Sequence, residues 1–117
     1  MEAEDILIEL LERFQYPVIR QGSMDEGEEY PDSFITFWNN GEEENSAYDN
    51  VTVSVVYDFD VNTYSNDPEK VYSLLREIRT TLKENGFIIA DRGHDIASDT
   101  PTHTGRGMNV LYMRNEN

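Results

Sequence analysis

The residues with the richest chemistry in this chain sit close together in its last third. His94 and His103, the two histidines, lie in a polar stretch with Asp91, Asp95 and Asp99. Two imidazoles and three carboxylates form a donor set that a divalent metal can use. Their spacing fits no standard zinc or calcium loop, and the same residue types serve as turn and cap formers. Asp58 and Asp60 are two residues apart, which on a strand puts both carboxylates on one face, as an acid–base pair requires. The plainer reading is the wet side of an exposed strand. No glycine-rich phosphate loop, nucleophile elbow or kinase signature occurs. With no cysteine, the sequence also lacks thiolate nucleophiles, thiolate zinc sites and disulfides. The chain is therefore expected not to be an enzyme, with no catalytic residue, no metal ligand and no cofactor.

A different constellation follows at Asp99-Thr-Pro-Thr-His-Thr-Gly-Arg-Gly107. Threonine, proline and glycine set an ordered turn, and Arg106 stands between two glycines before the last predicted strand. A guanidinium so placed can clasp a carboxylate in its own subunit or in a neighbour. Thr102, His103, Thr104 and Arg106 are the candidate interface residues, and a hairpin lock within the chain is the alternative.

The charge is lopsided. The 117 residues carry 24 acidic and 9 basic side chains, a net of −15. Residues 1–60 hold 16 acidic and 2 basic residues, a net of −14, whereas residues 61–117 hold 8 and 7, a net of −1. The acid gathers in two predicted loops, about 21–33 and 40–49. The first holds Asp25, Glu26, Glu28 and Glu29, the second Glu42, Glu43 and Glu44. Such runs are solvated surfaces, or repulsive ones that would line a lumen. The overall charge opposes phosphate binding, so no sequence-specific nucleic-acid partner is expected. No run of about 20 apolar residues is present and the N-terminal segment is acidic, so no membrane span, signal or transit segment is expected.

These residues need a scaffold to place them. One domain is expected over residues 1–117, since the length falls within about 100–200 residues per domain. Thirteen aromatic residues argue against disorder. Residues 4–14 show helical spacing of Leu7, Leu10, Leu11 and Phe14, and Pro17 stops that helix. Val18–Arg20 is a short strand or the exit from the turn. Phe34–Trp38 is aromatic and β-branched throughout, hence a strand. Between Val51 and Tyr64 the apolar residues fall on odd positions, which predicts a long half-buried strand. Asp67-Pro68 opens a second helix whose core stripe is Val71, Leu74, Leu75, Ile78 and Leu82, and Gly86 closes it. Phe87–Ala90 reads as a short buried strand and Met108–Met113 as the last one, around a polar segment at 92–106. The expected fold is α+β in the order α-β-β-α-β-β, an antiparallel or mixed sheet with two helices packed on one face.

Several segments together resemble the small tail proteins of long-tailed phages found as prophages in Gram-positive bacteria. They are Tyr16-Pro17, Phe34-Ile-Thr-Phe-Trp-Asn39, Tyr64-Ser-Asn-Asp-Pro68, Gly86-Phe87, Asp95-Ile-Ala-Ser-Asp99 and Pro101-Thr-His-Thr-Gly-Arg-Gly107. The likeness is to the tail-terminator or tail-to-head joining type and spans most of the chain. It implies a hexameric ring that caps the tail tube and docks to the head connector. Its partners would be copies of itself, the tail tube protein and the head connector protein. It would be found in the host cytoplasm during assembly and then in the tail or neck of the virion. A second reading, of another class, is an acidic DNA mimic that occupies the basic groove of a host nuclease or DNA-binding protein.

Overall fold

The computed structural model describes residues 1–21, 23, 29–46 and 53–116. In chain order the elements are helix α1 (Ala3–Glu12), strands β1 (Val18–Arg20), β2 (Ser33–Ser46) and β3 (Val53–Ser65), helix α2 (Pro68–Glu84), and strands β4 (Ile88–Ile96) and β5 (Thr104–Glu116). The fold is α+β, and the strands form one mixed sheet in the order β1-β2-β3-β5-β4. Only the β1–β2 pair is parallel; the other three pairs are antiparallel.

The odd–even pattern in β3 sets the layering. Val55, Tyr57, Phe59, Val61 and Thr63 point to one face and are buried. Met108 and Val110 of β5, and Ile35 and Phe37 of β2, sit beside them in register. Both helices cover this face. Leu7, Leu10 and Leu11 of α1 and Leu74, Leu75, Ile78 and Leu82 of α2 join the same apolar core.

The helix ends are chemically specified. Asp67 accepts from the Glu69 amide at 3.0 Å, and Pro68 follows where its missing N–H is harmless. At the other end the Phe87 amide reaches the Leu82 carbonyl and the Gly86 amide reaches that of Lys83, a Schellman closure. Gly86 has φ +93°, and the flanking Leu82 and Phe87 are both buried.

Three expectations are corrected. The stretch 40–46, expected as a loop, belongs to β2. Asn39-Asn40-Gly41, which reads as a turn, makes a bulge instead: the register shifts there and the Gly41 amide bonds Asn39 Oδ1 at 2.8 Å. The strand from Phe87 is neither short nor buried, because β4 runs to Ile96 at the sheet edge and Ile88 is 47% exposed. β5 starts at Thr104 and ends at Glu116, well beyond Met108–Met113 on both sides. Val18–Arg20, left open by the sequence, is an edge strand.

Asn62 lies on the even, supposedly wet side of β3, yet it is buried. Its amide donates to Gln21 Oε1 at 3.0 Å and to Thr36 Oγ1 at 3.3 Å. Across the β3–β5 ladder from Asn62 and Tyr64 stand Gly107 and Gly105. A Cβ on Gly105 would lie 2.7 Å from the Tyr64 ring and 2.9 Å from Ile96. The Tyr64 ring cannot retreat, because it stacks on Phe34 with centroids 5.1 Å apart. Gly105→Ala is therefore expected to destabilise the fold by about 1–3 kcal/mol through overpacking. Urea unfolding checks this, and an unchanged midpoint would contradict it.

Candidate interaction surface

The turn before β5 is tied into the chain at each of the four residues singled out from the sequence. The half-buried His103 places Nε2 2.8 Å from the Pro31 carbonyl oxygen and Nδ1 2.9 Å from the Thr102 hydroxyl. A carbonyl only accepts, so Nε2 carries a proton and donates it to Pro31. The Thr102 hydroxyl in turn stands 3.1 Å from that of Thr100. Thr104 is exposed, with its hydroxyl 3.5 Å from the Ser65 carbonyl.

Arg106 points to the helix side. Its guanidinium pairs with Asp95 at 2.8 Å and lies over the Tyr72 ring at 4.6 Å from the centroid. Gly93 leaves the room it needs, since a Cβ there would be 3.2 Å from Arg106 Nε. The structure thus places these side chains in contacts that hold β4, β5 and the 30–34 segment together.

Around His103 lies a group that sequence reasoning did not single out. The rings of Tyr30, Phe34, Tyr64 and His103 pack at centroid distances between 5.1 and 6.0 Å. Burial raises the Tyr64 pKa, and the charge of Asp99 and the neighbouring Tyr30 add to this. The cavity beside this cluster, between Arg20, Thr36 and Asp99, holds about 200 Å³. That is below the roughly 300–1,000 Å³ of typical small-molecule sites.

The acidic residues divide. Asp25, Glu26 and Glu28 lie outside the described residues; Glu29 is exposed. Glu42, Glu43 and Glu44 are all exposed on β2, which is the sheet edge there because β1 pairs only with Ile35–Phe37. With β3 and β5 this stretch makes a three-stranded arm that lengthens the molecule to 54 Å, against 28 and 23 Å in the other directions. Arg114 anchors the arm to the start of α1 by donating to the Met1 carbonyl at 2.8 Å. Inside the arm, the Tyr57 hydroxyl donates to the Glu116 carboxylate.

Among the described residues no helix covers the sheet face away from α1 and α2. Asn109 bridges Asp58 at 2.6 Å and Asp60 at 3.0 Å, and Asn40 also donates to Asp58 at 3.1 Å. These amides hold the two carboxylates that the sequence suggested as an acid–base pair. Ile88, Leu111 and Val56 lie on this face, with Met113 half exposed beside them and Trp38 at 46% exposure. Three of these, Trp38, Ile88 and Met113, are about half exposed.

His94 and His103 are not brought together: His94 pairs with Asp91 at 2.6 Å, while His103 faces Pro31. The Gly93 amide, followed by His94, holds the Asp91 carboxyl below its usual range. Among the described residues no three His, Asp or Glu side chains converge as a metal site requires. No helix among them is long and apolar enough to cross a membrane. No family model matches the chain, and no curated protein matches it.

The Tyr57 hydroxyl is pushed up to about 12, first by its bond to Glu116 and then by burial. A raised tyrosine pKa means the folded state holds the proton more tightly than the unfolded chain. Its contribution to stability is complete below about pH 10 and is lost as pH rises toward 12. In an ultraviolet titration one tyrosinate step is expected near pH 12, and Glu116→Gln is expected to move it down. A titration unaffected by that substitution would contradict the assignment.

Proposed function

We propose that this chain is a phage structural protein at the head-proximal end of the tail, where a ring of copies caps the tail tube and joins it to the head connector. The observation that carries the reading is the sheet face that no described helix covers, with its strand arm, which offer other subunits broad, shape-defined surfaces. The family-like segments, in order along most of the chain, support it. So does the chemistry of the described residues, whose polar clusters are satisfied internally as structural contacts. On this reading the ring, a hexamer in the virion, is the active form, and the chain is not an enzyme. The net charge of −15 suits a passage through which DNA must slide without sticking.

A phage lysate lacking this chain tests the reading. Tails of uncontrolled length with unattached heads are expected, and the purified chain added back should restore joined particles. Tails of normal length joined to heads without the chain would overturn it.

One observation favours the second reading, an acidic DNA mimic. Glu42 and Glu44 sit on a strand, on one face and two residues apart, hence roughly 7 Å from each other. Carboxylates in a regular row resemble a phosphate backbone better than a loop does. If so, the chain inhibits a basic nuclease with a steep salt dependence, and replacing Glu42, Glu43 and Glu44 by glutamine relieves the inhibition. An absence of inhibition at low salt removes this reading.

A further inference from the structure

The acidic protein carries one concentrated basic surface. Arg76, Arg79 and Lys83 are spaced along a single stripe of α2, and Arg92 stands beside them on β4. Arg79 Nη1 donates to the Arg92 carbonyl at 2.8 Å, which ties the helix to the edge strand and gathers the cations. Burial, and after it the charges of Arg92, Arg76 and Arg106, lower the Arg79 guanidinium pKa. Three of the nine basic residues pair with a carboxylate: Arg20, Arg106 and Arg114. None of these four cations has an ion-pair partner among the described residues. The nearby β4 acids are taken, Asp91 by His94 and Gly93, and Asp95 by Arg106. Glu77 and Glu84 share α2 and leave the stripe with an excess of positive charge.

The topology puts this surface opposite the acidic one. β4 ends the sheet on one side, while Glu42–Glu44 of β2 form its free edge on the other. Along β4 runs an open groove of about 600 Å³ lined by Arg79, Thr80, Lys83, Phe87, Ile88 and Arg92. Two register shifts, at Ile89/Asp91 and Asp91/His94, break the edge ladder. Broken edges resist addition of another strand, so an occupant must dock through side chains.

We propose that the basic edge built by Arg76, Arg79, Lys83 and Arg92 receives the acidic β2 edge, Glu42 to Glu44, of a second copy of this chain. Charge complementarity selects the occupant: an edge carrying Glu42 and Glu44 on one face and Glu43 on the other meets four adjacent cations. Exposed pairs are individually weak and act mainly on orientation and encounter. Half-exposed Ile88 lines the groove and supplies apolar area there. Because the two surfaces differ, the contact is head-to-tail, and repetition of it closes a ring or extends a filament. The proposal rests on the self-assembly part of the function above, and it assigns Glu42, Glu43 and Glu44 to a subunit contact in place of a lumen.

Two charge-reversed variants test it by light scattering, with circular dichroism to verify folding. One carries E42K, E43K and E44K; the other carries R76E, K83E and R92E, all at exposed positions. The unmodified chain is expected to assemble, and each variant alone to remain at 13.6 kDa. Their equimolar mixture should assemble again, since the intact edge of each meets the intact edge of the other and the two reversed edges, lysines against glutamates, are complementary as well. Reversal of Glu9 and Glu12 on α1 should leave assembly unchanged. The chain has no cysteine, so an E43C copy mixed with an R92C copy gives a clean disulfide test. Formation of the mixed disulfide supports the contact. Assembly of the unmodified chain that persists in both variants, with no mixed disulfide, overturns the docking alone. A chain that stays monomeric at every concentration, again with no disulfide, overturns the docking and the self-assembly reading together.

Discussion

Most of this molecule follows from the need to hide one face of β3. The strand pairs along its whole length with β2 on one side and β5 on the other, so its backbone polar groups are satisfied inside the sheet. Its side chains are not so easily placed. Phe59 and Val61 are fully buried and Val55 and Tyr57 nearly so, and each such side chain contributes about 1.5–3 kcal/mol when removed from water. That face demands a cover, and the apolar stripes of α1 and α2 supply it. Helix α2 is fixed in position chiefly by β3 and β5, α1 by α2 and β1, and among the described residues the second sheet face has no helical layer.

The same strand explains why that second face is partly closed near β1. Asn62 and Tyr64 point there and occupy the space above Gly107 and Gly105, whose missing side chains let the amide and the ring lie flat on β5. Tyr64 then supports Phe34, and the aromatic group reaches His103. Ser33 and Ser65 share a hydrogen bond of 2.9 Å at this end of the sheet. Among the described residues no buried side-chain donor or acceptor is left without a partner. The sheet is therefore sealed at one end by packed rings and glycines, and at the other it projects as an open, charged arm.

Much of this fold was legible because its signals are local. Alternation from Val51 to Tyr64, whose first two residues lie outside the described ones, the Asp67-Pro68 start and the Gly86 stop each depend on residues a few positions apart. The misread segments were those where a local signal serves another purpose. Asn39-Asn40-Gly41 carries turn chemistry, but the sheet uses it for a bulge, and the pairing of Glu42–Ser46 with Val53–Tyr57 overrides the poor strand propensity of three glutamates. The candidate interface residues were found, but their partners were not. His103 meets Pro31, 72 residues away, and Arg106 meets Tyr72, and no spacing rule announces contacts of that range. The stripe Arg76–Arg79–Lys83 has helical spacing but was not singled out from the sequence. Its meaning depends on which edge β4 occupies, and only the sheet order tells that.

The sheet order also converts a bias along the sequence into a direction in space. Nearly all of the net charge belongs to residues 1–60, which build β1 and β2 and feed β3; residues 61–117 supply α2, β4 and β5. Because β2 and β4 end up on opposite sides of β3 and β5, the Glu42–Glu44 stretch and the cations beside β4 become opposite flanks of one sheet. A uniform charge of −15 would oppose any association of copies. A polarised one does not, since exposed charges separated by more than about 8 Å at physiological salt are largely screened. The distant acidic flanks of two copies are then largely screened from each other, while the opposed flanks in contact attract. Acidity that keeps the protein away from phosphate is in this way compatible with ordered self-assembly, and it gives that assembly a front and a back.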